Sequence, residues 1–148
     1  MRQFLLIVAV VCFLASCRKS EKPSSSSSCE TTVAAISGSY HLTKFEQVPY
    51  PSGTPQDKTS TLSACELSGT YTLDANGTAS YTESGSCTSS GTGTWTLGNN
   101  IIHIFFGSGN GTRINFATVF TWDCTNLVLT TTYPNTVSND RYTLTRIN

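Results

Sequence analysis

Six cysteines, Cys12, Cys17, Cys29, Cys65, Cys87 and Cys124, are the side chains of this 148-residue chain with the widest chemical repertoire. A thiol can be a nucleophile, a metal ligand or half of a disulfide. Zinc would call for closely spaced ligand pairs, but no Cys-x-x-Cys occurs and the separations are long, so no metal site is expected. Nucleophilic catalysis needs a base held beside the nucleophile, and the only histidines are His41 and His103. Neither sits in a recognisable motif; His103 falls within the apolar run Ile101 to Phe106 and reads as a core or rim residue. Glycoside cleavage would need two facing carboxylates. Asp74, Asp123 and Asp140 all lie in turn-forming sequence, where Asp bonds its own backbone. The glycine-rich stretch Gly107-Ser108-Gly109-Asn110-Gly111 has neither the lysine nor the following helix of a phosphate loop and reads as a hairpin turn. A non-enzymatic protein without catalytic residues, cofactor or metal is therefore expected.

The chemistry that can be placed is at the N-terminus. Arg2 precedes an apolar run from Phe4 to Leu14, too short to span a bilayer as a helix, and Ala15-Ser16 supplies small residues for signal cleavage. Leu14-Ala15-Ser16-Cys17 resembles the lipobox of bacterial lipoproteins, which implies cleavage after Ser16 and a diacylglycerol thioether, usually with an N-acyl chain such as palmitate, on Cys17. Each buried methylene contributes about 0.8 kcal/mol, so two or more chains hold a domain on a membrane. Residues 1–16 are then a lipoprotein signal peptide, and residues 17–28, with Pro23 and a serine run, a flexible tether. Arg18, where an inner-membrane retention signal has Asp, makes outer-membrane sorting the expectation. Cys12 leaves with the signal and Cys17 is acylated, so Cys29, Cys65, Cys87 and Cys124 remain for two disulfides in an oxidising compartment. Three connectivities are open. A hairpin turn at Asp74-Ala75-Asn76-Gly77 would set Cys65 nearly opposite Cys87, favouring that pair and leaving Cys29 for Cys124.

From Cys29 to Asn148 the chain is one domain, carrying three more negative than positive charges. With no basic stripe to track phosphates, the charge pattern disfavours nucleic acid as a partner. Charged residues make up 12% of the sequence, against roughly 25% in typical soluble domains, and Ser, Thr, Gly and Asn dominate instead. Alternation predicts a first strand over Ser39 to Val48, with Tyr40, Leu42 and Lys44 on one face and His41, Thr43 and Phe45 on the other. Prolines from Pro49 to Pro55 predict a long irregular connection. Further strands are expected at Thr70 to Leu73, Thr78 to Tyr81, Thr94 to Leu97, Ile101 to Phe106 with both faces covered, Arg113 to Trp122, Leu127 to Tyr133 and Arg141 to Ile147. Ser89 to Gly93 reads as a loop, and no helix is expected after the signal. Eight to nine short strands with tight turns give an all-β, single antiparallel up-and-down barrel.

That pattern resembles the lipocalin-like lipoprotein domains of the Bacteroidetes type. The resemblance rests on Ile36-Ser37-Gly38-Ser39-Tyr40-His41-Leu42, on Tyr71 to Thr78 with a cysteine on each side, on Gly93-Thr94-Trp95-Thr96-Leu97 before Asn100-Ile101-Ile102, and on Tyr142 to Arg146. It implies a non-enzymatic protein that binds a small apolar or amphipathic ligand outside the cytoplasm. The first-strand Trp of those domains is Tyr40 here, which counts against a barrel floor built from a Trp and a crossing Arg. Phe116, Phe120 and Trp122 share one face of a long strand, which would line a barrel mouth with Arg113 or Tyr133 as a polar handle. The alternative is a protein-interaction module of the envelope or a lysozyme-inhibitor-like plug, making contact through Pro49 to Ser60 or the glycines near Gly91.

Overall fold

Threonine alternating with apolar residues gives each segment one wet face and one dry face, and the segments fold accordingly into strands. The computed structural model describes residues 29–106, 116–131 and 137–147, with the side chains of Phe116 and Ala117 left out. The expected signal, lipobox, tether, glycine loop at 107–111, Arg113 and Tyr133 lie outside the described residues. Among the described residues there are nine strands: β1 (Gly38–Pro49), β2 (Gln56–Asp57), β3 (Thr70–Leu73), β4 (Thr78–Thr82), β5 (Ser90–Gly98), β6 (Ile101–Phe106), β7 (Phe116–Trp122), β8 (Asn126–Thr131) and β9 (Ser138–Arg146). From β3 to β9 each pairs antiparallel with its sequence neighbour, and β1 pairs with both β3 and β9. The sheet thus closes into a ring of eight strands, with β2 added outside on Glu46 and Gln47 of β1. This is the up-and-down barrel expected from the sequence.

Four local expectations are corrected. The connection after β1 is not wholly irregular, because it contains β2 and a 3-10 turn over Thr59–Thr61. Ser89 to Gly93 is not a loop: β5 begins at Ser90, and a Cβ on Gly93 would collide with the Phe105 carbonyl, so glycine there lets two strands approach closely. Strand β6 is covered on one face only. Ile102, Ile104 and Phe106 are buried, whereas Phe105 is 58% exposed and Val119 on neighbouring β7 is 56% exposed. Among the described residues there are also two short α-helices, α1 (Val33–Ile36) and α2 (Ala64–Ser68), the second opened by a reciprocal capping box between Ser63 and Glu66. Cys65 therefore sits on a helix rather than on a hairpin strand.

Both disulfides form, as Cys65–Cys87 and Cys29–Cys124, with Cα atoms 5.6 and 5.5 Å apart. The first ties α2 to the β4–β5 connection, and the second ties the start of the domain to the β7–β8 turn.

Candidate functional site

The barrel has two unlike ends. Strand direction places α1, the turns at Asp74–Gly77, Asn99–Asn100 and Asp123–Thr125, and the end of β9 at one end. The β1–β2 connection, α2 and the Cys65–Cys87 bridge lie at the other.

The first end is closed. The Arg146 guanidinium reaches across it, donating through Nη2 to the carbonyls of Ala35 and Ser37 at 2.6 Å each and to Tyr40 Oη at 3.2 Å. Its Cζ lies 4.8 Å from the Trp122 ring centroid and 5.6 Å from that of Tyr40, within cation–π range. Tyr40 in turn donates to the Ile36 carbonyl. Burial raises the Tyr40 phenol above its ordinary pKa, with the Arg146 hydrogen bond and charge opposing. Trp95 adds an anchor, its Nε1 donating to the Asp74 carbonyl at 2.8 Å. Tyr40 counted against an indole-and-arginine floor; such a floor is present nonetheless, because β7 supplies the indole through Trp122.

Toward the second end, whose β6–β7 and β8–β9 connections lie outside the described residues, the described inward positions are largely aromatic. A bulge at Thr43 decides part of its lining. Leu42 pairs with Leu144, but Lys44 pairs with Thr143, so the extra residue reverses the inward phase of β1. Lys44 then faces outward, and Phe45 turns inward to stack on Tyr142 with centroids 4.9 Å apart and planes at 17°. This reverses the faces read for Lys44 and Phe45 from simple alternation. On the β3–β4 hairpin beside β1, Tyr71 and Tyr81 are opposite each other with centroids 4.7 Å apart, and both approach Phe106 at 6.5 and 6.4 Å. Two residues on, the same inward phase delivers Glu83, whose Oε1 accepts from Tyr81 Oη at 2.6 Å. Burial covers this carboxylate until only 8% of the residue is exposed.

On the outer wall, Glu46 is also buried, but it is neutralised. Its Oε1 lies 2.8 Å from Lys44 Nζ, and its Oε2 lies 2.8 Å from Arg141 Nη2 and 2.9 Å from Arg141 Nε. The Lys44 and Arg141 contacts hold its carboxyl below the usual range against the effect of burial.

Of the sequence-predicted ligand residues, only Phe120 and Trp122 have side chains among those described. Phe120 faces the interior and is buried. Trp122 belongs to the closed end rather than to a mouth, since it pairs with Leu127 beside the Cys124 turn. Phe116 lies opposite Ile104, and its side chain, like Arg113 and Tyr133, is outside what is described. Phe106 and Glu83 are inward residues at this end that the sequence reading did not single out. The run Ala79-Tyr81-Glu83 carried the signal for Glu83 as a third inward position, whereas nothing in the sequence marks the bulge that turns Phe45 inward.

Neither histidine is paired with a nucleophile among the described residues: His41 Nδ1 meets the Gly69 carbonyl at 3.0 Å, and His103 is exposed on the outer face of β6. Cys65, Glu83 and Cys87 bring potential ligand atoms within 4.8 Å of one another. The two sulfurs are bonded to each other, so neither offers the thiolate that a metal requires. No helix among the described residues is long and apolar enough to cross a membrane. A family profile described as a lipocalin-like domain matches residues 36–129, spanning β1 to most of β8. No curated protein and no solved structure matches the chain.

Proposed function

The chain belongs to the lipocalin-like domain family, and from that membership and its two-ended barrel we propose that it is a non-enzymatic binding lipoprotein that holds a small apolar or amphipathic molecule outside the cytoplasm. One observation carries the reading. The closed end is sealed by Arg146, Tyr40 and Trp122, while the opposite end presents the half-buried Phe45–Tyr142 stack and the Tyr71–Tyr81–Phe106 group. A concave, largely apolar site with a few polar groups is the usual form of a small-molecule site. Export is supported by two disulfides in a chain of this size, and anchoring by the lipobox ending at Cys17, as in the lipoproteins of the Bacteroidetes type that the sequence resembles. An outer-membrane address follows from Arg18.

Native mass spectrometry of protein taken from its own host's envelope tests the binding role. An adduct of small-molecule mass that survives gentle desolvation is expected; uniformly ligand-free protein from fresh membranes would count against it. Fractionation tests the anchor. Cys17→Ala should move the folded domain into the soluble fraction, and continued membrane association after a high-salt wash would contradict lipidation.

A second reading, an interaction module or enzyme inhibitor of the envelope, is favoured by the apolar stripe Ile101, Phe105 and Val119 on the outer wall. Cross-linking in intact envelopes separates the two: a stoichiometric protein partner contacting β6 and β7 supports the second reading, and its absence removes it.

A further inference from the structure

We propose that the barrel stands on its membrane floor-first: the sealed end faces the bilayer that holds Cys17, and the end proposed to receive ligand faces away from it. The proposal deepens the binding role argued above and rests on its lipid anchor.

The start of the domain is pinned to one pole. Cys29 is bonded to Cys124 in the β7–β8 turn, at the same end as the Asp74–Gly77 and Asn99–Asn100 turns. A second tie holds the residues that follow, since Arg146 Nη2 donates to the Ala35 carbonyl and Ile36 is fully buried. Whatever course residues 18–28 take, the chain therefore enters the barrel at its floor.

Length then decides the orientation. Cys17 and Cys29 are twelve residues apart. Fully extended, such a segment reaches about 40 Å, and a serine-rich coil of that length spans about 19 Å root-mean-square. The wall is taller than that coil: β1 has twelve residues, which at about 3.3 Å each and a tilt of about 40° give a height of about 30 Å. Bringing the opposite end to the same bilayer would draw the tether almost taut along the side of the barrel. With the floor down, the same tether keeps nearly all its conformations.

Charge does not reverse the choice. Glu30, Asp74 and Asp123 are exposed at the floor end and repel anionic head groups, but screening limits that repulsion to about 8 Å at physiological salt. The floor thus stands off the lipid without being turned from it, while Arg18, Lys19 and Lys22 follow closely on the acylated cysteine and attract the head groups. Ligand then arrives from solution, or from a surface facing the membrane, rather than from the bilayer that carries the protein.

The test places the lipidated, isotope-labelled full chain in phosphatidylcholine nanodiscs that carry gadolinium-chelate headgroups, and reads the paramagnetic broadening of amide signals. Those of Asp74, Asn76, Asn99, Asn100 and Thr125 should broaden at least about fivefold more than those of Ser52, Gly53, Ser84 and Ser86. Inserting roughly two dozen glycine and serine residues after Ser28 lets either end meet the bilayer, and should bring the two sets to within about twofold of each other. Equal or reversed broadening in the parent chain, or a bias unchanged by the insertion, would overturn the orientation while leaving the anchor in place. A chain that carries no lipid on Cys17 and fails to co-migrate with the nanodiscs would remove the anchor, and the orientation with it.

Discussion

Replacing Arg146 with Met keeps most of the aliphatic stem but removes the group that closes one end of the barrel. Nη2 makes three hydrogen bonds there, two of them to backbone carbonyls at 2.6 Å. Hydrogen bonds from charged donors contribute roughly 1.5–3 kcal/mol each, and a cation–π contact about 0.5–2 kcal/mol. Full addition is not expected, because one nitrogen makes all three bonds and the buried Nε of the same guanidinium lacks a partner among the described residues. A net loss of about 3 kcal/mol is the reasoned value. For a domain of this length that corresponds to a fall in Tm of about 12 °C. Urea unfolding followed by tryptophan fluorescence is the assay, since Trp122 lies under the guanidinium and Trp95 anchors to a turn at the same end. The midpoint should drop with an unchanged slope. Combining Arg146→Met with Trp122→Leu should cost measurably less than the two single losses added together, because the pair shares one contact. A loss below about 1 kcal/mol, or strict additivity with Trp122→Leu, would refute the idea that this arginine holds the floor.

Other perturbations follow from the same geometry. Glu46 has a depressed folded-state pKa, so its contribution is present above the unfolded carboxyl pKa and lost as pH falls through the folded value. Glu46→Gln should therefore lower stability at neutral pH and flatten the decline in acid, and parallel pH–stability curves for parent and variant would contradict this. Removing Cys65 and Cys87 together opens a loop with a sequence separation of 22 and should cost about 3 kcal/mol in the chain-entropy model, read as a lower urea midpoint. Gly93→Ala should destabilise by about 1–3 kcal/mol, because the new methyl meets the Phe105 carbonyl. Gly91→Ala, with nothing within 4 Å of the added atom, should be neutral or slightly stabilising, and equal melting temperatures for the two variants would refute the close-approach argument.

What the sequence made legible was local. The Asp-Ala-Asn-Gly turn fixed the β3–β4 ladder, in which Tyr71 faces Tyr81 and Leu73 faces Ala79, and extending that register aligned Cys65 with Cys87. Alternation showed which residues of β7 share a face, but not the height at which each stands in a closed barrel. That height depends on how β1 and β9 meet, which is why Trp122 was expected at a mouth and is found at the floor. The bulge at Thr43 leaves no compositional mark, so the inward turn of Phe45 was hidden. The capping box Ser63 to Glu66 was present in the sequence but announces a helix of only five residues, easily outweighed by the surrounding strand signals. Gly91 and Gly93 read as loop formers, whereas close approach to β6 makes Gly93 a strand residue.

The central claim, that one end of the barrel receives ligand and the other is sealed, is tested most directly by residue-resolved NMR of the isotope-labelled Cys17→Ala chain titrated with decyl maltoside. Saturable shifts are expected at Phe45, Tyr71, Tyr81, Phe106 and Tyr142, while Ile36, Tyr40, Trp122 and Arg146 stay unmoved. Shifts concentrated at the sealed end, or confined to the outer residues Ile101, Phe105 and Val119, would contradict it.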